Sequence, residues 1–529
     1  MHTTRGTIGF VTLLAMVCGL VLGGFSSPAA AHSTEAPRIV VTTLTDAADP
    51  PFNADGICGT GTLNDLPGTA GLISLREAII AANNTPGADT ITFAPNLSGG
   101  TIVVNFDDLD GDATPDPLPA LCGGQTRLKG DSNGDDVPDI ILEGAAFPVV
   151  SPVAAGILVL SSHNTITGLR VQHFPLGIVV RAGDLTNPGT VEHTRVTHNI
   201  VAESKLDGIF VATGNIPGSF VAHTTLTQNQ VTHNARNGIL VIASLSGTGS
   251  DSQIDHTTIT DNEVSGNGQV GIFLLSQGDR NVLSDTTIAR NTVSGSTFFG
   301  INVNGGFNGA DGNNFDLLIN DNTVTDNGTA GIRVIAGLDN SSNNHVEALI
   351  RGNTLERNQL YGIAAAAGEG AVNFPTGTSN QNALDVRIEQ NTVKDHTGGG
   401  ITVCGGVGSP NGRAGAVADN NQTNAIIVQN TVEDNTDRGI ELCAGGFGLA
   451  SDNTLDVRVA HNRVCNNPGT DILGEGGFTG NVLFPVPNAG TGNVLTGEII
   501  KNTATTVTVA DGTPGNTADV TQLKNESCP

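Results

Sequence analysis

The sequence predicts an all-β chain wound as a right-handed parallel β-helix, with a capping helix near its N-terminal end. Two observations carry this. A Gly-Ile pair recurs at Gly177, Gly208, Gly238, Gly271, Gly300, Gly331, Gly362, Gly400 and Gly439; subtracting neighbours gives steps of 31, 30, 33, 29, 31, 31, 38 and 39 residues. An asparagine keeps the same beat at Asn199, Asn229, Asn262, Asn291, Asn322, Asn353, Asn391, Asn430 and Asn462. Self-similarity at a period of about 20–50 residues marks a repeat architecture.

The interior of one repeat fixes its secondary structure. Around Asn322, Leu317-Leu318-Ile319 precedes, Thr323-Val324 follows and Gly331-Ile332-Arg333-Val334 closes the unit. No segment is long enough for a helical stripe, and β-branched residues dominate, so these are very short strands. Three such strands per turn, each restarting one period later, stack on the same strand of the next turn. Parallel crossovers are almost always right-handed, which sets the hand. Ile332 and Val334, Ile301 and Val303, and Ile440 and Leu442 then form apolar files along the core. The asparagines are read as structural: an Asn tolerates the left-handed turn conformation, and its amide bonds to the same amide one rung away. A second file follows five residues later at Asn234, Asn267, Asn327, Asn358 and Asn435, with Ser204, Ser296 and His396 as substitutes.

Taken in order, residues 1–31 read as a secretory signal peptide: Arg5, an apolar run from Ile8 to about Leu22, and a small-residue cleavage site ending at Ala31. Residues 32–105 form a cap and first strands, 106–150 the first coils, 151–480 the repeats and 481–529 a C-terminal strand and tail. Residues Arg38 to Val41 form an opening strand. Ser74 and Glu77 make a capping box, and the apolar residues after them fit one face of a helix. The run Ile73-Ser74-Leu75-Arg76-Glu77-Ala78, with Gly87-Ala88-Asp89-Thr90-Ile91-Thr92-Phe93 after it, resembles the N-terminal module of secreted β-helix proteins known by the CSLREA motif. Ile73 stands where that name has Cys, so no thiol is carried over. The likeness covers roughly residues 38–105, and the repeats separately resemble the parallel β-helix superfamily. Physically, an open solenoid end exposes strand edges and core, and a helix covers them.

Two acid-rich loops follow. Asp108, Asp110, Asp112 and Asp116 stand at loop positions 1, 3, 5 and 9, and Asp131, Asn133, Asp135 and Asp139 repeat that spacing. Alternating carboxylates on a tight loop suit a hard cation, so both are candidate calcium sites acting as a structural brace. Neither is an EF-hand, because position 6 is Ala113 or Asp136 and position 12 is Pro119 or Leu142. They resemble the calcium loops of thrombospondin type 3 repeats, without the glycine. Further on, His193, His223, His256, Asp285, Asp316, Glu347 and Asp385 occupy one outward file, either solvated surface or a place for a metal or acid–base pair. Insertions at about 365–384, 405–424 and 444–455 leave the solenoid at one corner. Asp471-Ile472 reads as a last rung, and Thr503 to Val509 alternates like a terminal strand.

The cysteines after residue 31 are Cys58, Cys122, Cys404, Cys443, Cys465 and Cys528, an even set in an exported chain. Cys404 and Cys443 occupy equivalent places on adjacent rungs, about 4.8 Å apart, which a disulfide accepts. Cys58–Cys122 and Cys465–Cys528 are the remaining pairs. A net charge of −28 excludes the basic footprint of a nucleic-acid binder, and no anchor is expected. The expected role is a secreted, non-catalytic β-helix protein of surface or matrix type, presenting its loops to an unknown extracellular partner or carbohydrate. The alternative is a polysaccharide lyase, hydrolase or epimerase, although no Asp-Pro-His epimerase motif or polygalacturonase set is present. The two readings separate on the loop-side surface: a groove there with clustered carboxylates and an Arg or Lys favours the enzyme, and a flat polar face favours binding or structural service. Aromatic platforms for sugars could come only from Phe and the single Tyr361.

Overall fold

The computed structural model describes residues 37–53, 57–104, 117–145, 147, 154–183, 187–245, 249–370, 377–408, 417–446, 448–478 and 490–529. The signal-peptide reading and the loop bearing Asp108, Asp110, Asp112 and Asp116 lie outside them. Residues Ala36–Pro529 form one compact unit. Three long parallel sheets run its length, as expected for a right-handed parallel β-helix. The first extends from Arg38–Val41 to Thr517–Leu523, the second from Thr101–Val103 to Thr503–Ala504, and the third from Ala155–Val159 to Val507–Gly512.

Stacking in register is what the period demanded. Ile178, Ile209, Ile239, Ile272, Ile301, Ile332, Ile363, Ile401, Ile440 and Ile472 pair rung to rung in the third sheet and are fully buried. Each such side chain contributes about 1.5–3 kcal/mol by leaving water. The interior is a continuous apolar column of such files.

The asparagine files are hydrogen-bonded ladders. Asn322 Oδ1 accepts both the backbone N–H (2.9 Å) and the side-chain N–H (3.0 Å) of Asn291, while its own amide donates to Asn353 Oδ1 and to the Ile288 carbonyl. The same pattern runs from Asn199 to Asn525. One expectation is corrected. The left-handed residue is not the asparagine but the one before it: His198, Gln228, Asp261, Arg290 and Asp321 have φ of 54–58°. The left-handed step turns the next side chain inward, so the amide arrives at the ladder already facing its partner. The second ladder runs through Asn234, Asn267, Asn327 and Asn358 as read from the sequence. A third, not anticipated, links Asn281, Asn313, Asn344, Asn382, Asn421, Asn453, Asn493 and Asn516 where the chain enters the first sheet.

At the N-terminal end, α1 (Leu75–Asn83) starts with the expected capping box: Glu77 N–H donates to Ser74 Oγ (3.1 Å), and Ser74 N–H to Glu77 Oε2 (2.9 Å). A one-faced helix was expected, but Leu75 to Ala82 are buried all round. The reason is a roof. Asp46 pairs bidentately with Arg76 (2.8 Å for both contacts), Asp49 N–H donates to Glu77, and the Cys58–Cys122 disulfide ties the covering loop down. Cys404–Cys443 bridges adjacent rungs of the third sheet and Cys465–Cys528 closes the C-terminal end, as paired from the sequence. The tail is more than a strand. Thr503–Ala504, Val507–Gly512 and Thr517–Leu523 add one strand to each sheet, a complete further coil. Its pattern fades because an end coil has little core to fill, and its side chains are small and half-exposed.

The described flanks of the first two insertions meet as expected at one corner, where Thr378–Asn380 pairs with Val417–Asp419 in a small extra sheet. Ser342 and Leu449 extend it by single bridges.

Candidate functional site: a groove on the third sheet

A strand sends alternate side chains to opposite faces, so the residues between the buried isoleucines and valines of the third sheet point outward. On a solvated sheet they would be polar. Here one outward file reads Phe210, Leu240, Phe273, Asn302, Arg333, Ala364, Thr402 and Glu441, and a second reads Ala212, Ile242, Leu275, Asn304, Ile335, Ala366, Cys404 and Cys443. Toward the N-terminal rungs these residues close over as a second apolar cluster with Leu158 and Val179. In the middle rungs they form the floor of a groove of 730 Å³, whose walls include Phe298, Phe299 and Phe307. Four of the 18 phenylalanines and the single tyrosine, Tyr361, line it.

Polar groups sit in the floor. Arg333, 7% exposed, pairs with Glu369, 8% exposed. It also donates to Asn302 Oδ1 (3.2 Å) and Asn304 Oδ1 (3.0 Å), and its guanidinium carbon lies 5.2 Å from the Phe299 ring centroid. Such a guanidinium is held in place on several sides. Beyond the groove's Thr402, a second pair repeats the plan. Arg438 pairs with Glu441 and stands 5.4 Å from the Phe478 ring, while Thr402 Oγ1 donates to Glu441 Oε2 at 3.4 Å. Burial pushes the Glu441 carboxyl up to about 7, against the pull of Arg438. A carboxyl there holds its proton near neutral pH.

The residues singled out in the sequence fall elsewhere. In the loop from Asp131 to Asp139, Asp131 Oδ1 accepts the Gly134 N–H (2.6 Å) and Asp135 Oδ1 the Val137 N–H (2.9 Å). Asp139 Oδ2 accepts the Ser132 N–H (2.8 Å) and hydroxyl (2.7 Å). Asp139 is partly desolvated, yet the hydroxyls of Ser132 and Ser98 hold its carboxyl below the usual range. Asn133 donates to Asp135 Oδ2 at 3.2 Å. Asp136, at the position an EF-hand gives to glycine, is itself left-handed with φ 63°.

The outward file of the first sheet begins one rung earlier than expected. The rings of His163, His193, His223 and His256 follow one another at centroid distances of 4.9, 4.6 and 4.8 Å. Asp285 comes next, then Asp316, Glu347 and Asp385 in register. Among the described residues, Asp255, His256 and Asp285 are the set whose ligand atoms all lie within 4.8 Å of one another.

Comparison with known proteins returns a partial family match and distant structural likenesses. Residues 148–315 match the model of a family described as periplasmic copper-binding protein (NosD). No curated protein matches the chain. Among solved structures, a periplasmic alginate epimerase, AlgG, is 12% identical with a TM-score of 0.39, over 84% of this chain and 79% of that one. The A-module of an Azotobacter vinelandii mannuronan C-5 epimerase is 13% identical with a TM-score of 0.38, over 84% and 91%. A pectate lyase is 11% identical with a TM-score of 0.33, over 68% and 80%. The groove could not be found from the repeat, because its outward residues change type from rung to rung; the one available signal was the clustering of Phe298, Phe299, Phe307 and Tyr361 within about two periods.

Proposed function

We propose that the protein is exported and binds a sugar chain in the third-sheet groove without cleaving it. The observation that carries this is the concentration of aromatic rings around a buried Arg333–Glu369 pair. Ligand sites are mostly apolar concavities with a few convergent polar groups that fix orientation. Aromatic faces accept the C–H faces of sugar rings, and a guanidinium–carboxylate pair flanked by two amides offers donors and acceptors to neighbouring hydroxyls. Exported location rests on the signal-peptide reading; no helix of the described residues is long and apolar enough to cross a membrane. The test is affinity electrophoresis against neutral and acidic polysaccharides. Retardation by one class, lost in Phe298→Ala, supports the reading; Phe298 is 48% exposed, so its removal spares the fold. Equal mobility in every gel refutes it.

A second reading is polysaccharide cleavage or epimerisation; the groove holds Arg333 with one lining carboxylate, Glu369, rather than a cluster of them. This reading is favoured by Glu441, beside Thr402 at the groove's end, whose carboxyl burial pushes up to about 7, in the range of a general acid. Incubation with the bound polysaccharide separates the two: release of unsaturated or reducing ends, abolished in Glu441→Gln, makes the protein an enzyme.

The loops of Asp108, Asp110, Asp112 and Asp116 and of Asp131, Asn133, Asp135 and Asp139 are proposed to take calcium as a brace between the cap and the first coils. Support comes from their alternating oxygen donors. Calorimetric titration showing calcium uptake, with a melting temperature that falls on chelation, is the expected result.

A further inference from the structure

We propose that His256 and Asp285, with Asp255 orienting the imidazole, hold one divalent transition-metal ion on the outer face of the first sheet. The site lies on a different sheet from the groove and does not depend on it. His256 Nδ1 is 2.8 Å from Asp255 Oδ2, a hydrogen bond, and Ser284 Oγ donates to the other oxygen of Asp255 at 2.7 Å. That fixes the imidazole and leaves Nε2 as the free face. Nε2 stands 3.7 Å from Asp285 Oδ2. The gap is too long for a hydrogen bond. It fits two ligands of one ion, since donors about 2.0–2.2 Å from a metal at an open angle stand about 3.5–4 Å apart. A carboxylate behind an imidazole that faces a metal is the usual way such a ligand is held.

The backbone explains why these side chains converge. His256 and Asp285 are left-handed, with φ of 50° and 48°; His256 falls between the strands Gln253–Asp255 and Thr258–Thr260, and Asp285 within Val282–Ala289. Thr257 and Thr286 after them turn inward and are buried. In the strand Val282–Ala289, Leu283 faces Phe315 and Thr286 faces Leu317, so Ser284 and Asp285 together oppose Asp316 alone. A bulge of this kind re-aims a side chain. On the next rung the bulge is gone, and Asp316 and Glu347 line the same 790 Å³ concavity, which leaves room for water or a further carboxylate on the ion. On the other side of the His256 ring, the His223 ring packs against it at 4.8 Å, tilted by 42°, and restrains it. An imidazole in the set selects the zinc and copper class over calcium or magnesium.

The test is calorimetric titration of the chelator-stripped full chain with Zn²⁺ and with Cu²⁺, paired with anomalous diffraction from crystals grown with Zn²⁺. The expected result is one equivalent bound, with anomalous density between His256 and Asp285. Affinity should fall more than tenfold in His256→Asn and Asp285→Asn, and about 10–100-fold in Asp255→Asn, while His193→Asn keeps wild-type affinity. Asparagine suits the left-handed backbone, and an unchanged melting temperature verifies that each variant folds. Absence of uptake, uptake that survives His256→Asn undiminished, or uptake that His193→Asn also removes would each overturn the assignment.

Discussion

His396 shows how one side chain can carry a pH dependence. It fills a place in the second ladder that neighbouring rungs give to asparagine: Asn358 N–H donates to its Nδ1 (3.1 Å), and its own N–H donates to Asn435 Oδ1 (3.1 Å). It is wholly buried, and burial pushes its pKa down to about 4 from 6.5. The folded chain therefore binds fewer protons here than the unfolded chain at mildly acidic pH. The contribution is fully present above about 6.5 and is lost as pH falls toward 4, a change of about 3 kcal/mol. His396→Asn should restore the ladder amide and flatten that part of the stability–pH curve, which denaturant melts at pH 7 and pH 4.5 would reveal. An equal acid loss in the variant would assign the sensitivity elsewhere. The ladder itself was legible because each position holds one residue type on a fixed beat. The left-handed residues before it were not, since His198, Gln228, Asp261, Arg290 and Lys501 share no chemistry, only a place.

At the scale of the element, α1 is the best case of sequence specifying structure. Its start, capping box and core-facing residues were all readable, because each is a local contact within four residues. What could not be read was the roof above it: Asp46, Asp49 and Cys58 reach the helix from about 20–30 residues away. The cap should therefore matter more than on an exposed helix. Ser74→Ala removes the acceptor for Glu77 N–H and a donor to the Ala47 carbonyl, and should cost about 1–2 kcal/mol in a denaturant melt. A loss below about 0.3 kcal/mol would mean that the roof alone holds the helix. The third-sheet strands make the opposite case. Their inward residues were read correctly from the Gly-Ile beat, whereas their outward residues become a groove only through the depth of the walls beside them, which no period encodes.

For the whole molecule, stability in a solenoid is a sum over rungs and the interfaces between neighbours. Loss should therefore begin at an end. The C-terminal coil has small, half-exposed side chains and is held by Cys465–Cys528 across 63 residues. Replacing both cysteines by serine should cost about 2–4 kcal/mol and should free the amides of Thr503–Leu523 to exchange well before those of the middle rungs. Hydrogen exchange read by mass spectrometry would show this; uniform protection along the chain would contradict it.

Circuits of different length keep one register. Ile332 to Ile363 spans 31 residues and Ile363 to Ile401 spans 38, yet both steps rise by a single rung with the same partners in line. The extra seven residues fall between Glu369, in line with Leu338, and Asn380, in line with Ser342, and the frame is unmoved. Such a scaffold separates what is displayed from what supports it. A foreign epitope spliced in at that corner would be exhibited at a chosen height along the shaft, with nothing beneath it needing to be redesigned.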